Sequence, residues 1–183
     1  MDLMTEVARV DLARTEELSA GARRACRDLL VDVFGDDFGE ADWHHCLGGR
    51  HVLLRVAGEL VGHGAVVERQ LHHGGRRLRA GYVEGLAVRA DHRGHGHGAA
   101  LMVTLEALIR SRYDAGVLST TEAAAGFYAA RGWSLWRGPS SVVTPTGVEP
   151  TPDDDGGIYV LPVRAALDLD GEITCDWREG DVW

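Results

Sequence analysis

The stretch Gly81-Tyr-Val-Glu-Gly-Leu-Ala-Val-Arg-Ala-Asp-His-Arg-Gly-His-Gly-His-Gly98 constrains this chain more than any other. Tyr82 to Val88 is rich in β-branched and apolar residues and predicts a buried strand. Glycines then stand at alternate positions, Gly94, Gly96 and Gly98, beside Arg93, and an apolar-periodic segment begins at Ala99. Strand, glycine-rich turn and helix together present bare backbone N–H groups and a positive helix end to an anion. The missing Cβ atoms let the backbone approach a phosphate closely and take positive φ.

Two common phosphate-binding patterns do not fit. The spacing is not Gly-x-Gly-x-x-Gly, and the chain contains no lysine, so a P-loop ending in Gly-Lys-[Ser/Thr] is excluded. All 19 basic residues are arginine and the net charge is −9. A duplex binder needs a basic face, so nucleic acid is not an expected partner. An acidic protein that holds a polyanion should segregate its charge, with arginine near the turn and carboxylates elsewhere, facing a cationic substrate.

The 183 residues, 45% of them apolar, suit a single domain over 1–183 with a sizeable core. No apolar run approaches ~18 residues, so no membrane span is expected. Met1-Asp-Leu-Met-Thr-Glu6 carries neither a basic leader nor an apolar stretch, so no export signal is expected. Cys26, Cys46 and Cys175 form an odd set without metal-like spacing, which fits reduced, structural thiols and a cytoplasmic setting. His92, His95 and His97, with the pairs His44-His45 and His72-His73, lack the i, i+4 spacing of a helical metal site, and no metal is expected.

Along the chain, Ala8 to Leu12 predicts a first strand, and Ser19 opens a helix with Cys26, Leu29, Leu30 and Val33 on one face, ended by Gly35. A loop and a short second helix run to about Leu47. His51 to Ala57, Leu60 to Leu71 and Leu78 to Val88 predict an antiparallel meander turning at Gly58-Glu59 and His72-His-Gly-Gly75. The glycines of Val61-Gly-His-Gly64 and Tyr82-Val-Glu-Gly85 mark bulges or close backbone approach. Ala99 to Arg112 is the main helix; Val117 to Thr120, Trp133 to Trp136 and Ile158 to Leu161 are strands, with a helix over Glu122 to Arg131. Gly138 to Gly157, holding four of the five prolines and Asp153-Asp-Asp155, predicts a long loop. The tail from Leu167 to Trp183 is polar, but its two tryptophans suggest docking.

Arg93-Gly-His-Gly-His-Gly98 fits Arg-x-x-Gly-x-Gly/Ala and resembles the pyrophosphate-binding turn of the GCN5-related N-acetyltransferases (GNAT), which hold acetyl-coenzyme A there. The order of elements resembles that superfamily as well. The resemblance implies an α/β GNAT fold: a central mixed, mostly antiparallel sheet flanked by helices, with two strands splayed at the acetyl-CoA site. The cofactor's pantetheine arm would then pair with the edge Leu86-Ala-Val88 like an added strand. Gly81-Tyr-Val-Glu-Gly85, Thr151-Pro-Asp-Asp-Asp-Gly156, Leu118-Ser-Thr120, Arg131-Gly-Trp133 and Cys175-Asp-Trp-Arg-Glu-Gly-Asp-Val-Trp183 are more specific. They resemble the aminoglycoside 2'-N-acetyltransferases of mycobacteria and related bacteria, over essentially the whole chain.

That resemblance implies that Leu86, Ala87, Val88, Arg93, Gly94, His95, Gly96, His97 and Gly98 bind acetyl-coenzyme A. It implies that Asp37, Asp42, Glu84, Gly85, Ser119, Asp153, Asp154, Asp181 and the carboxylate of Trp183 bind a cationic aminoglycoside. Glu84 would act through water as the base and Tyr128 as the acid; a homodimer is implied by resemblance alone. The chemistry is consistent with these residue types. The amine arrives largely protonated and needs a carboxylate to take its proton. Backbone N–H groups near Leu86 could polarise the thioester carbonyl. A phenol, at pKa ~10 against ~8.5 for a thiol, can stabilise or protonate a departing thiolate. Several ammonium groups call for a set of separated carboxylates. Read by residue type alone, Glu84 is equally an exposed strand glutamate, Tyr128 a core tyrosine and Asp153-Asp-Asp155 a solvated loop.

No cysteine lies in the cofactor segments and no lysine exists to carry an acetyl group, so transfer is expected to be direct, in a ternary complex. Two alternatives stand beside this: the same fold acetylating a polyamine, amino sugar or protein N-terminus, or a degenerate coenzyme A-binding sensor. The presence of both Glu84 and Tyr128 argues against the sensor.

Overall fold

A computed structural model describes residues 7–183, so the expectation about a leader in Met1-Asp-Leu-Met-Thr-Glu6 lies outside the described residues. The chain divides into two compact units. One is the chain up to Val67 together with Val83–Ala107; the other is Glu68–Tyr82 together with Leu108–Trp183.

The first unit contains β1 (Ala8–Arg14), α1 (Ala20–Phe34), α2 (Glu40–His45) and β2 (Arg50–Val56). To these it adds the first part of β3 (Glu59–His73), the end of β4 (Arg76–Val88) and most of α3 (His97–Arg112). Ser19 caps α1 by accepting from the Ala22 N–H at 3.1 Å, and Gly35 ends it at φ 63°. Both signals are local, which is why the sequence predicts them. Cys26, Leu29 and Leu30 are the buried face of α1 and pack with Trp43, Cys46, Leu53, Ala65 and Ala87. β1, β2 and β3 form antiparallel ladders, with Leu12 opposite Val52 and Val52 opposite Gly64. The glycines beside His63 mark close approach, as expected. A Cβ on Gly64 would lie 2.8 Å from Leu105 Cδ1, and one on Gly62 would lie 3.1 Å from Leu101 Cδ1. The missing side chains let α3 pack directly on β3.

The second unit holds the remaining parts of β3, β4 and α3 and adds β5 (Ala115–Ser119), α4 (Glu122–Ala129) and β6 (Ser134–Leu135). It continues with β7 (Ser140–Thr144), β8 (Gly147–Pro150), β9 (Ile158–Pro162) and β10 (Ile173–Asp176). Its strands lie in the order β6-β9-β5-β4-β3-β10-β7-β8. The β4–β5 and β10–β7 pairs are parallel and those of β9 and β8 antiparallel, which gives the expected mixed sheet. Trp136, Tyr82, Leu118, Ile158 and Ile173 are fully buried in this unit.

Three expectations need correction. Gly138 to Gly157 is not a bare loop but contains the β7–β8 hairpin and a 3-10 turn over Pro152–Asp154. Its four prolines stand at element ends: Pro139 just before β7, Pro145 in the hairpin turn, Pro150 closing the edge strand and Pro152 opening the 3-10 turn. Proline is tolerated at such positions because no ladder or helical N–H is lost there. The strand expected over Trp133 to Trp136 shortens to Ser134–Leu135, with both tryptophans buried instead. Only one of the two tail tryptophans docks: Trp183 is 4% exposed and Trp177 57%. β10 precedes both and inserts between β3 and β7.

Gly81 is a sensitive packing position. A Cβ there would meet Tyr113 Cδ2 at 2.6 Å and Ile109 Cγ1 at 2.9 Å. Gly81→Ala is expected to cost about 1–3 kcal/mol and to lower the thermal midpoint by roughly 3–10 °C, read by calorimetry.

Candidate active site

In the first unit, β4 leads through a 3-10 turn at Ala90–His92 into the glycine turn and α3. Gly94 and Gly96 have φ of 79° and 78°, and a Cβ on either would meet nothing within 4 Å. Conformation therefore requires glycine here, while the space above the turn stays open to an incoming group. Arg93 Nε donates to the Val88 carbonyl at 3.0 Å, tying the turn to the strand end, and Ala100 N–H donates to the Gly96 carbonyl at 3.0 Å. Arg89 pairs with Asp91 and Glu59, and the Arg89 guanidinium holds the Asp91 carboxyl below its ordinary range. Val56, Asp91, His92, His95 and His97 line a cleft of about 400 Å³. The His97 ring centroid lies 5.9 Å from that of His95 and 6.2 Å from that of His92. Open glycines at a helix start beside a cleft of this size fit a phosphate-bearing group. Among the described residues, no three His, Cys, Asp or Glu side chains are arranged to hold a metal ion, and no helix is long and apolar enough to cross a membrane.

Glu84 lies half-buried in β4, next to Gly85, whose φ is 55° within the strand. A left-handed glycine in a strand is the mark of a bulge. A Cβ on Gly85 would also meet Cys46 Sγ at 2.8 Å, Leu30 Cδ1 at 3.2 Å and His63 Cε1 at 3.3 Å. Its carbonyl accepts from His63 Nδ1 at 2.7 Å. Behind that contact, His63 Nε2 lies 3.0 Å from His51 Nδ1, and His51 Nε2 lies 2.8 Å from Thr15 Oγ1. Both imidazoles are completely buried. Burial pushes the His63 pKa down to about 4; burial, then His63 and Arg23, push that of His51 down to about 3. Sequence reasoning does not single out these residues; the glycines flanking His63 are the one signal that points toward them.

Leu86 and Val88 are half-buried and Ala87 is 5% exposed, packed in the core. The β4–β5 ladder covers Ala80–Tyr82 and Ala115–Val117, and its register ends at Tyr82 opposite Val117. Asp37 is exposed at the end of a 3-10 turn, Gly35–Asp37. Asp42 Oδ2 accepts from the Gly39 N–H at 2.7 Å and so caps α2, a structural task the sequence reading did not assign to it.

In the second unit, Tyr128 is 8% exposed on α4, edge-on to Phe127 at 5.1 Å and Trp133 at 6.3 Å. Burial pushes its phenol pKa up to about 12. It is thus a weaker acid than a free thiol at ~8.5, and a hydrogen-bond donor throughout the neutral range. Ser119 is exposed at the end of β5, opposite Ile158.

The acidic triplet divides by role. Asp155 Oδ1 accepts from the Ser140 N–H at 2.9 Å and the Ser140 hydroxyl at 2.7 Å, fastening the segment to β7. Asp154 is half-buried, and its carboxyl pKa is raised by burial first and then by Asp181, Asp153 and Asp155, against the pull of Arg178. The second unit therefore brings Asp181, from a segment distant in sequence, into the field of Asp154 together with Asp153. Trp183 is buried beside this segment, and its Nε1 donates to Thr151 Oγ1 at 3.0 Å. Arg69, buried on β3, holds the tail. Its Nε donates to Asp176 Oδ1 at 2.8 Å and its terminal nitrogens to the Asp176 and Val182 carbonyls. The Tyr82 ring stands 5.1 Å from the guanidinium carbons of both Arg69 and Arg178. Arg69 too escapes sequence reasoning.

Comparison with known proteins agrees with these features. Residues 14–136 match the model of the acetyltransferase (GNAT) domain. The chain is 47% identical over 176 residues to the aminoglycoside 2'-N-acetyltransferase of Mycolicibacterium fortuitum, covering 94% of this chain and 90% of that protein. In fold it is similar to the GNAT-family N-acetyltransferase YhbS of Escherichia coli, solved in complex with CoA, with a TM-score of 0.63 and 17% identity over 91% of this chain and 88% of that one. It also resembles Eis1 of Mycobacterium abscessus, at TM-score 0.59 and 19% identity, over 74% of this chain and 33% of that longer chain. A family match over more than half the chain, and a near full-length relative at this identity, leave one conclusion: the chain belongs to the GNAT acetyltransferases.

Proposed function

We propose that this protein transfers the acetyl group of acetyl-coenzyme A to the 2'-amine of aminoglycosides. The 47% identity over nearly the whole length of the M. fortuitum enzyme carries this reading. The repulsion that Asp181, Asp153 and Asp155 exert on Asp154 supports it, because a carboxylate destabilised by like-charged neighbours gains by meeting a polycation.

Leu86, Ala87 and Val88 would offer a strand edge to the pantetheine arm, and Arg93, Gly94, His95, Gly96, His97 and Gly98 the turn to the pyrophosphate. Acetyl-coenzyme A supplies an activated acetyl thioester, whose transfer to the amine releases the thiol. Glu84, through water, accepts the ammonium proton so that the nitrogen lone pair can attack. Leu86 N–H polarises the acetyl carbonyl. Tyr128, as the acid, hands a proton to the departing sulfur, which leaves as the thiol, and the nitrogen's remaining surplus proton restores the phenol. The high pKa keeps Tyr128 protonated across the working pH range. Asp37, Asp42, Gly85, Ser119, Asp153, Asp154, Asp181 and Trp183 complete the drug contacts. A homodimer, resting on resemblance, and a cytoplasmic setting, consistent with three buried cysteines outside any disulfide, belong to the same reading.

The test is coenzyme A release with aminoglycosides bearing a 2'-amine, such as gentamicin and tobramycin, against those bearing a 2'-hydroxyl, such as kanamycin A and amikacin. Turnover confined to the first group supports the proposal. Activity on both groups moves the reaction to another amine, and silence on both removes the drug as substrate. Within the same assay, Tyr128→Phe is expected to lower kcat about 10- to 100-fold, the worth of one hydrogen bond to a developing charge. That loss should stay constant up to about pH 10, because the buried phenol does not ionise below it.

A further inference from the structure

We propose that Thr15, His51 and His63 form a buried, one-directional hydrogen-bond chain that aims the Leu86 N–H, which makes His63 a positioning residue for acetyl transfer. The inference rests on the reading above in one respect, the use of Leu86 N–H as donor to the acetyl carbonyl.

The direction of the chain follows from counting protons. The Gly85 carbonyl can only accept, so the hydrogen of the neutral His63 ring sits on Nδ1. His63 Nε2 then carries a lone pair, and His51 Nδ1, 3.0 Å away, must be the donor. This leaves His51 Nε2 as an acceptor, so the single hydroxyl hydrogen of Thr15 points to it across 2.8 Å. The 3.4 Å approach of Thr15 Oγ1 to the Gly49 carbonyl is thereby left without a hydrogen. The Gly48 N–H, donating to Thr15 Oγ1 at 3.0 Å, closes the far end. Every ring nitrogen has one partner, and no other arrangement of neutral rings satisfies all of them.

The near end of the chain bears on the bulge. None of the peptide bonds among the described residues is cis, and in a trans peptide the C=O and N–H point opposite ways. With the Gly85 carbonyl held by His63, the Leu86 N–H of the same peptide plane is turned away from His63. Gly85 needs such a hold, since a glycine at φ 55° has more freedom about its backbone than any other residue. A hydrogen bond accepted by a carbonyl also polarises its amide and strengthens the N–H as a donor.

Two measurements test this. In the ligand-free full chain labelled with nitrogen-15 at histidine, the ring resonances at pH 7 should show His51 and His63 both as the Nδ1–H tautomer, the less favoured form in water. An Nε2–H tautomer or an imidazolium at either residue overturns the chain. Next come His63→Leu, which removes the donor, and His63→Asn, whose side-chain N–H can reach the Gly85 carbonyl from the place of Nδ1. The leucine variant should lose about 10- to 100-fold in kcat, short of the full loss of an oxyanion donor. Its KM for the amine should change by less than about threefold. The asparagine variant should recover most of the rate and keep the Leu86 amide resonance of the wild-type protein. Equal kcat in all three proteins, or a loss that asparagine does not restore, overturns the positioning role. If His63→Leu does not fold, Thr15→Val tests the same chain from its far end, where loss of the fixed His51 tautomer is expected. A wild-type protein that acetylates no amine removes the proposed function, while the tautomers and the Leu86 resonance still decide the chain.

Discussion

Glu84→Gln is expected to lower kcat for amine acetylation about 100- to 10,000-fold, the range for losing a positioned general base. Gln is nearly isosteric, so the half-buried position in β4 is kept and the thermal midpoint should barely move. What disappears is a group able to take the ammonium proton. The variant must then wait for the substrate to lose that proton to solvent, and its rate should climb about tenfold per pH unit below the pKa of the amine. The wild-type profile should be flatter over the same range. Affinity for acetyl-coenzyme A, measured by calorimetric titration, should be unaffected. If Glu84→Gln keeps more than about a tenth of the wild-type rate, Glu84 is not the base.

Mild acid is expected to destabilise the protein through His51 and His63, well before the carboxylates contribute. Both imidazoles are held far below the ordinary value of 6.5, at about 3 and about 4. A group with a depressed folded-state pKa binds fewer protons in the native state than in the unfolded state at intermediate pH. Stability is therefore fully present above about pH 6.5 and falls as the pH drops toward 4. The two rings interact, so their contributions are not independent; together they amount to a few kcal/mol, on that order, by pH 4.5. Urea unfolding at pH 7.5, 5.5 and 4.5 measures the slope, and replacing both histidines with uncharged residues should flatten it. Equal stability of the wild-type protein at pH 7.5 and 4.5 would falsify the account. Glu17, Glu68, Asp91 and Asp170 have carboxyls lowered by arginine partners, a stabilisation lost only at lower pH. They are exposed or nearly so, where such pairs add little.

The parts of the fold legible in the sequence are those set over a few neighbouring residues. Ser19 and Gly35 bound α1 because a side-chain acceptor and a left-handed residue satisfy helix ends locally. Cys26, Leu29 and Leu30 share a face because of helical periodicity, and Gly94 and Gly96 carry positive φ where the turn was expected. The expected loop over Gly138 to Gly157 fails for the converse reason. Proline density there points to a loop, whereas Pro145, Pro150 and Pro152 sit where a missing N–H costs no ladder bond.

By itself, the sequence determined the strand–turn–helix that can meet an anion, the order of elements and the acidity of the whole chain, since each follows from local geometry or composition. Only the tertiary structure decided which groups meet. The β2–β3 register sets Leu53 opposite His63 and Ala65 opposite His51, so the two imidazoles fall diagonally on one face of the ladder. Asp155 turns inward to Ser140 while Asp154 is left in the field of Asp181, and Arg69 reaches the tail more than a hundred positions away. Such pairings depend on strand register and on the closure of long loops, and on burial that changes a side chain's chemistry once it is there. None of these is written in the spacing of neighbouring residues.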